Sequence, residues 1–289
     1  MPVAAPSLTS RVADAGGELT PAERRVAEEV LADPNRLAFD TVAGLAERAG
    51  TSGPTVVRFA VKLGFEGFAD LQAEVRRTVS DRLERATDRI RVEDPTSADG
   101  EVVRVAERNV VTSLERLTDG RLGEIVAPLL DPARRVWVLA GESSLPAAIV
   151  LAQGLGMTRP GVARLTGSAV GMAPTFADVG ADDVVVVIDF PRYERRLVEV
   201  AGWLADDGLT LVGLTDGPLS PIAAMSAVWA EVDVTPIGPF DSALGPIAVC
   251  EAIVAQVALE LRGVATERLD RVEDGWRRAG ALLPPTGAR

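Results

Sequence analysis

From residue 136 onward, short valine-rich apolar runs recur between stretches of helical pattern: VWVLAG (136–141), VARLTG (162–167), VVVVIDF (184–190), LTLVGLTD (209–216) and VWAEVDV (228–234). Runs of this length and β-branched content read as strands. Strands alternating with helices predict an open α/β domain, a doubly wound parallel sheet with both faces covered. In such sheets ligands bind beyond the carboxyl ends of the strands. That rule singles out three loops: GESSLPA (141–147), DFPRYERR (189–196) and TDGPLSP (215–221). A last helix, about 242–261, carries Ile247, Cys250, Val254, Val257 and Leu261 at alternating three and four spacing, a core or dimer seam on which Cys250 is expected to be inert.

The first 90 residues show the helical period only. In LTPAERRVAEEVLADP, Thr20 is placed to cap a helix, with Pro21 at its first position and Glu23 at capping-box spacing. Asp40 or Thr41 caps the next helix, with Val42, Leu45, Ala46 and Ala49 on one face, and Gly50 suits the turn after it. Ser52 caps a third helix, with Pro54 near its start and Gly64 at its end, and a long charged helix follows, about 67–89. RVEDPTSADG (91–100) breaks the apolar period and reads as a linker, with a further helix over about 101–117. The predicted domains are thus 1–90, a helical linker 91–120, the α/β domain 121–275 and a tail 276–289.

What is missing narrows the chemistry. The 289 residues contain no His, which removes Ser-His-Asp and Cys-His pairs, His metal sites and the imidazole proton shuttle. Neither a metal site nor a cofactor site is expected, and no catalytic residue is assigned. Gly154-Leu155-Gly156 lacks the third glycine of a dinucleotide fingerprint, Arg159 standing in its place. Gly141-Glu142-Ser143-Ser144-Leu145 lacks the final glycine of a nucleophile elbow. The one Cys and the lack of a basic-then-apolar leader or an apolar run of about 18 residues place the expected location in the cytoplasm, away from membranes.

Charge divides the chain. Residues 1–90 hold 12 basic and 14 acidic side chains, so nearly all of the overall −12 lies in the second part. Within residues 48–77, Arg48, Arg58, Lys62, Arg76 and Arg77 outnumber the acids by two. Any nucleic-acid contact must therefore be local, because the rest of the chain repels a polyanion. Residues 41–63 have the spacing of a helix-turn-helix. On an ideal wheel Val56, Ala60 and Leu63 share one face and Thr55, Arg58 and Lys62 another. A presented stripe of that kind suits a major groove: Thr55 and Arg58 toward base edges or phosphate, Lys62 toward phosphate, and Ser52 toward phosphate at the helix start. A plain helical hairpin with a solvated polar face has the same pattern.

LTPAERRVAEEVLADP followed by TVAGLAERAGTSGPTVVRFAVKLGFEGFADLQ resembles the N-terminal helix-turn-helix domain of the RpiR family of bacterial transcription regulators, over about 60 residues. Thr55, Arg58, Lys62, Gly64, Phe65 and Gly67 carry the likeness; Gly53-Pro54 departs from the more frequent Pro-then-small order. The family pairs this domain with a sugar isomerase (SIS) domain, a doubly wound, flavodoxin-like α/β fold that recognises phosphorylated sugars and commonly dimerises. GESSLPA resembles its first phosphate loop without the second glycine. Asp189-Phe190-Pro191-Arg192-Tyr193-Glu194 replaces the Ser, Gly and Thr run of many SIS domains and resembles one branch of the regulators.

The resemblance implies a transcriptional regulator that binds an operator in double-stranded DNA through Ser52, Thr55, Arg58 and Lys62. Its partners are expected to be a sugar phosphate or related anionic sugar effector and further copies of itself, as a homodimer or homotetramer. The implied ligand residues are Gly141, Glu142, Ser143, Ser144, Asp189, Arg192 and Tyr193. Arg192, Arg195 and Arg196 at a helix start oppose its dipole by up to about 1 kcal/mol each unless an anion, or Glu194 and Asp189, offsets them. The alternatives are a sugar-phosphate isomerase with Glu142 or Glu251 as base, for which no ring-opening group is evident, and a regulator whose second domain only dimerises.

Overall fold

The computed structural model describes residues 8–15, 19–32, 37, 40–83, 89, 98–167, 169–218 and 220–282; residues 91–97 of the expected linker lie outside them. The first part contains helices α1 (Leu8–Ala15), α2 (Pro21–Ala32), α3 (Val42–Arg48), α4 (Gly53–Lys62) and α5 (Phe68–Leu83). They close around Val26, Val30, Leu45, Val56, Phe59, Ala60 and Leu71, each at most 1% exposed. Burial of each larger side chain among these stabilises the domain by about 1.5–3 kcal/mol.

Local signals set the helix ends. Thr20 and Glu23 form the capping box: the Glu23 carboxylate accepts from the Thr20 amide and hydroxyl at 2.8 Å each. Thr41 caps α3 by accepting from the Gly44 amide at 3.0 Å, while Asp40 accepts from the Thr41 amide. Gly50 turns the chain out of α3 at φ +55°, a left-handed conformation that favours glycine.

The second part begins with α6 (Ala98–Glu115) and α7 (Arg121–Val126). The sheet follows: β1 (Val136–Ala140), α8 (Leu145–Thr158), β2 (Val162–Leu165), α9 (Ala169–Phe176), β3 (Val184–Ile188), α10 (Arg195–Asp206), β4 (Thr210–Thr215), α11 (Pro221–Met225) and β5 (Val228–Glu231). Two helices end it, α12 (Leu244–Glu260) and α13 (Arg262–Ala279). All five predicted strands are present and pair in parallel in the order β2-β1-β3-β4-β5. Side chains alternate across them: Val136, Val138, Val184, Val186 and Ile188 pack toward α7, α8 and α12, and Trp137, Leu139, Val185 and Val187 toward α9, α10 and α11.

The buried stripe of α12 is Val249, Cys250, Ile253 and Val257; Ile247, Val254 and Leu261 sit at its edge, partly buried. Cys250 is fully buried, and burial together with neighbouring Glu251 pushes its thiol up to about 12, so it stays protonated. Helix α13 runs through residues 276–279, where the sequence suggests a tail; its mainly polar face hides it from an apolar-period reading. Among the described residues, no single helix is long and apolar enough to cross a membrane.

Candidate functional sites

Helices α3 and α4 form the helix-turn-helix, and the turn is held from outside it. Arg25 of α2 donates from Nε to the Ala49 carbonyl and from Nη2 to the Gly50 carbonyl, both at 3.0 Å. A guanidinium is suited to this task, since its fork reaches two carbonyls at once. The sequence gives no local hint of it, because Arg25 and Gly50 are distant in the chain.

The wheel partition of α4 needs correction. Thr55 is not presented to solvent: it is 5% exposed and lies among the buried residues Val56, Phe59 and Ala60. Helix α4 is covered over a wider arc than three positions because α2, α3 and α5 all pack on it. The Thr55 hydroxyl is 3.0 Å from the Ser52 hydroxyl and accepts from Arg58 Nη2 at 3.0 Å. Ser52 is the N-cap residue by backbone, but its side chain makes no capping bond and turns to Thr55 instead. The two hydroxyls thus steer Arg58, which is exposed.

Lys62 is likewise engaged. Its ammonium donates to the Glu23 carboxylate at 2.7 Å, on an acid only 2% exposed, and so ties α4 to α2. Burial works to raise the Glu23 pKa, but the bonds from Lys62 and Thr20 outweigh it and hold the group at about 2, below its ordinary 4.5. A depressed carboxylate stabilises the fold above its unfolded pKa and loses that contribution as pH falls through the folded one. Stability of about 1–3 kcal/mol, less than the full shift because solvent reaches Lys62, is therefore expected to disappear between about pH 4.5 and pH 2. Thermal unfolding of the full chain, measured across that range, should show the decline in the native protein and a flattened one in Glu23→Gln.

The second site lies where the sheet order reverses between β1 and β3. A cleft of about 220 Å³ opens at the carboxyl ends of β1 and β2, lined by Gly141, Glu142, Arg164, Thr166, Glu194 and Arg196, with Leu139, Leu165, Met172 and Leu197 among its apolar walls. Of the seven predicted ligand residues, Gly141 and Glu142 line it. Asp189 lies behind them, 2% exposed, so close that a Cβ on Gly141 would fall 2.6 Å from its Oδ1. Only glycine fits at position 141.

The other four lie elsewhere. Tyr193 donates its hydroxyl to Asp216, away from the cleft. Arg192 is exposed at φ +70° and is not part of the cleft wall. Ser143 is exposed, and the Ser144 hydroxyl is buried with no hydrogen-bond partner among the described residues. Arg164 and Arg196 are the cations that face the cleft. Arg164 was legible only as a charge inside an apolar strand run, and its place in the cleft wall depends on β2 pairing with β1.

The loop amides are already engaged by the chain's own carboxylates. Asp189 accepts from the amides of Phe190 at 3.1 Å and Glu194 at 2.9 Å. Glu194 accepts from the Glu142 amide at 3.4 Å and faces Arg196 Nε at 3.6 Å. Burial pushes Asp189 up to about 6; its two amide bonds lower it, and Glu194 and Asp216 add to the rise. Of the two acids that could offset the loop arginines in place of an anion, Glu194 does so through Arg196, while Asp189 serves the backbone. Among the described residues no cluster of His, Cys, Asp and Glu is arranged to hold a metal ion.

Helix α6 is fastened to the α/β domain by buried polar side chains. Asn109, fully buried, donates to the Thr235 carbonyl at 2.8 Å, and Ser113 accepts from the Asp233 amide at 2.9 Å. Arg89, before α6, reaches Asp241 at 2.7 Å.

Residues 7–82 match the model of the helix-turn-helix domain of the rpiR family, and residues 129–257 match that of the SIS domain. The chain is 29% identical over 219 residues to the HTH-type transcriptional regulator HexR of Pseudomonas aeruginosa, covering 74% of this chain and 75% of that one. It is 24% identical over 231 residues to the bifunctional protein glk of Burkholderia mallei, covering 80% of this chain but 36% of that protein's length. Among solved structures, the sugar isomerase domain of an RpiR transcription factor from Sphaerobacter thermophilus superposes with a TM-score of 0.55 at 23% identity, covering 60% of this chain and 97% of that one. The Vibrio vulnificus NanR protein complexed with ManNAc-6P superposes with a TM-score of 0.52 at 16% identity, covering 94% and 99%.

Proposed function

The chain belongs to the rpiR family of helix-turn-helix transcriptional regulators with a SIS domain, and from that premise we propose that its SIS domain senses an anionic sugar metabolite, a sugar phosphate or sugar acid, in the cleft between β1, β2 and α10. The observation that carries this reading is the pair Arg164 and Arg196 facing one cleft at the switch point of a doubly wound sheet. The similarity of fold to the NanR protein complexed with ManNAc-6P supports the ligand class.

Two copies present two recognition helices to a pseudo-palindromic operator, with half-sites about 34–36 Å apart or a multiple of that. Arg58 serves that contact directly, Thr55 and Ser52 by positioning its guanidinium, and Lys62 by tying α4 to α2. Because Asn109 and Ser113 anchor α6 to the SIS domain, a ligand that prefers one arrangement of the SIS domains shifts DNA affinity through that helix, and DNA shifts ligand affinity by the same factor.

The test is fluorescence anisotropy of the full chain on DNA from upstream of its own gene, at fixed salt, with and without a panel of phosphorylated sugars and sugar acids. One compound shifting the DNA affinity supports the reading. Glu194→Gln removes a negative charge that competes for the Glu142 amide and Arg196, and is expected to tighten anion binding about tenfold, which corresponds to about 1.4 kcal/mol.

A second reading, a SIS domain that serves dimerisation alone, is favoured by the loop amides already held by Asp189 and Glu194. It predicts that neither the native protein nor Glu194→Gln responds to any compound of the panel. Isomerase chemistry keeps Glu142 as a base in the cleft, but no His or Lys lines that cleft to open a ring.

A further inference from the structure

The solvent side of α4 is more apolar than its charge pattern suggests. Pro54 and Arg58 are exposed, Val57 is 39% exposed and Val61 52%. Positions 54, 57, 58 and 61 follow the i, i+3, i+4, i+7 spacing of one helix face. A lone exposed valine is ordinary on a protein surface. Two flanking the arginine of a recognition helix, on the arc left open by α2, α3 and α5, form a surface with a definite chemical complement.

In a major groove the apolar group available is the C5-methyl of thymine, while guanine offers the O6 and N7 acceptors that suit an arginine fork. We propose that Val57 and Val61 are specificity-determining residues that pack against thymine methyls on either side of a base read by Arg58. Residues four apart on a helix are separated by about 6 Å along its axis, more than the rise of about 3.4 Å per base pair, so the two valines can each meet a thymine of a different base pair. This role differs from the polar stripe of Thr55, Arg58 and Lys62, since Thr55 is buried and Lys62 is bound to Glu23. The inference rests on the DNA-binding reading and adds to it which positions select sequence.

The test begins with selection of duplexes from a random pool by the full chain, followed by affinity measurement on the selected site with single thymines replaced by uracil. That replacement removes the methyl group and leaves the pairing edge intact. The expected result is a loss of about fourfold per half-site at one or both of two thymines, as for one buried methyl-sized group. Val61→Ala and Val57→Ala should each abolish the effect at its own thymine. Both positions are exposed, so both variants should keep the native circular dichroism, and the uracil series on the native protein is independent of any variant.

A selected site whose affinity is indifferent to every uracil replacement overturns the methyl contact while leaving DNA binding in place. Failure to enrich any sequence overturns both. A change of oligomeric state in the Val57→Ala, Val61→Ala double variant, with DNA specificity intact, overturns the inference by assigning this face to a second copy of the chain.

Discussion

Arg159→Ala is expected to destabilise the SIS domain by about 3–5 kcal/mol, the range for leaving buried partners of a charged group unsatisfied. Arg159 is fully buried. Its guanidinium donates to the carbonyls of Leu129, Asp131 and Arg134, and its Nε to Pro160, so one side chain gathers the segment entering β1 and the turn entering β2. Burial pushes its pKa down, nearby Asp131 raises it and nearby Arg134 lowers it. Removing the side chain leaves several carbonyls without donors and a cavity where the stem packed. Lys in its place restores one donor group without the fork and should recover only part of the loss.

Chemical denaturation of the full chain checks this: a later or separate transition for the SIS domain should move to lower denaturant while the helix-turn-helix signal stays. An unchanged midpoint would mean that water reaches those carbonyls. Arg159 sits at the amino ends of β1 and β2, opposite the cleft, so ligand affinity in the folded fraction should not change.

The same residue shows what sequence can and cannot tell. Arg159 was readable as the break in a glycine fingerprint, a negative statement; three of its four carbonyl partners come from residues 129–134, which only the folded sheet brings near it. Local chemistry was legible throughout: the Thr20 and Glu23 capping box, Thr41 as a cap, Gly50 in the turn and the five strands all follow from neighbours within a few positions. Contacts across the chain were not. Lys62 was assigned to phosphate because no periodicity foretells a carboxylate 39 residues upstream. A wheel gives angles between side chains but not the width of the arc that neighbouring helices cover, which is why Thr55 changed sides. A cleft does lie at strand ends, but it also takes in the end of β2, which none of the three loops includes; its cations come from β2 and α10, and Arg192, at φ +70°, is not in its wall.

Arg58→Ala is the substitution expected to act most strongly on DNA. If the chain binds as a symmetric dimer, both half-sites lose the contact. At about 1–3 kcal/mol for each lost base contact, the operator affinity falls on the order of 100-fold. The fold should scarcely notice, because Arg58 is exposed and Thr55 keeps Ser52 as a partner when the guanidinium is gone.

Anisotropy over a range of salt concentrations separates the two ways in which Arg58 can act. A base-reading arginine leaves the slope of log affinity against log salt nearly unchanged and lowers the discrimination between operator and random duplex. A phosphate-binding one weakens both duplexes alike and reduces the slope by about one per copy. The first result is expected, since Thr55 fixes the guanidinium on the helix face that Val57 and Val61 share. Lys62→Met supplies the contrast. It breaks the Glu23 bond and should appear mainly as lost thermal stability, with specificity retained in the folded fraction. Loss of oligomeric state together with DNA binding in Arg58→Ala would make the residue structural and return the reading of α4 to a plain helical hairpin.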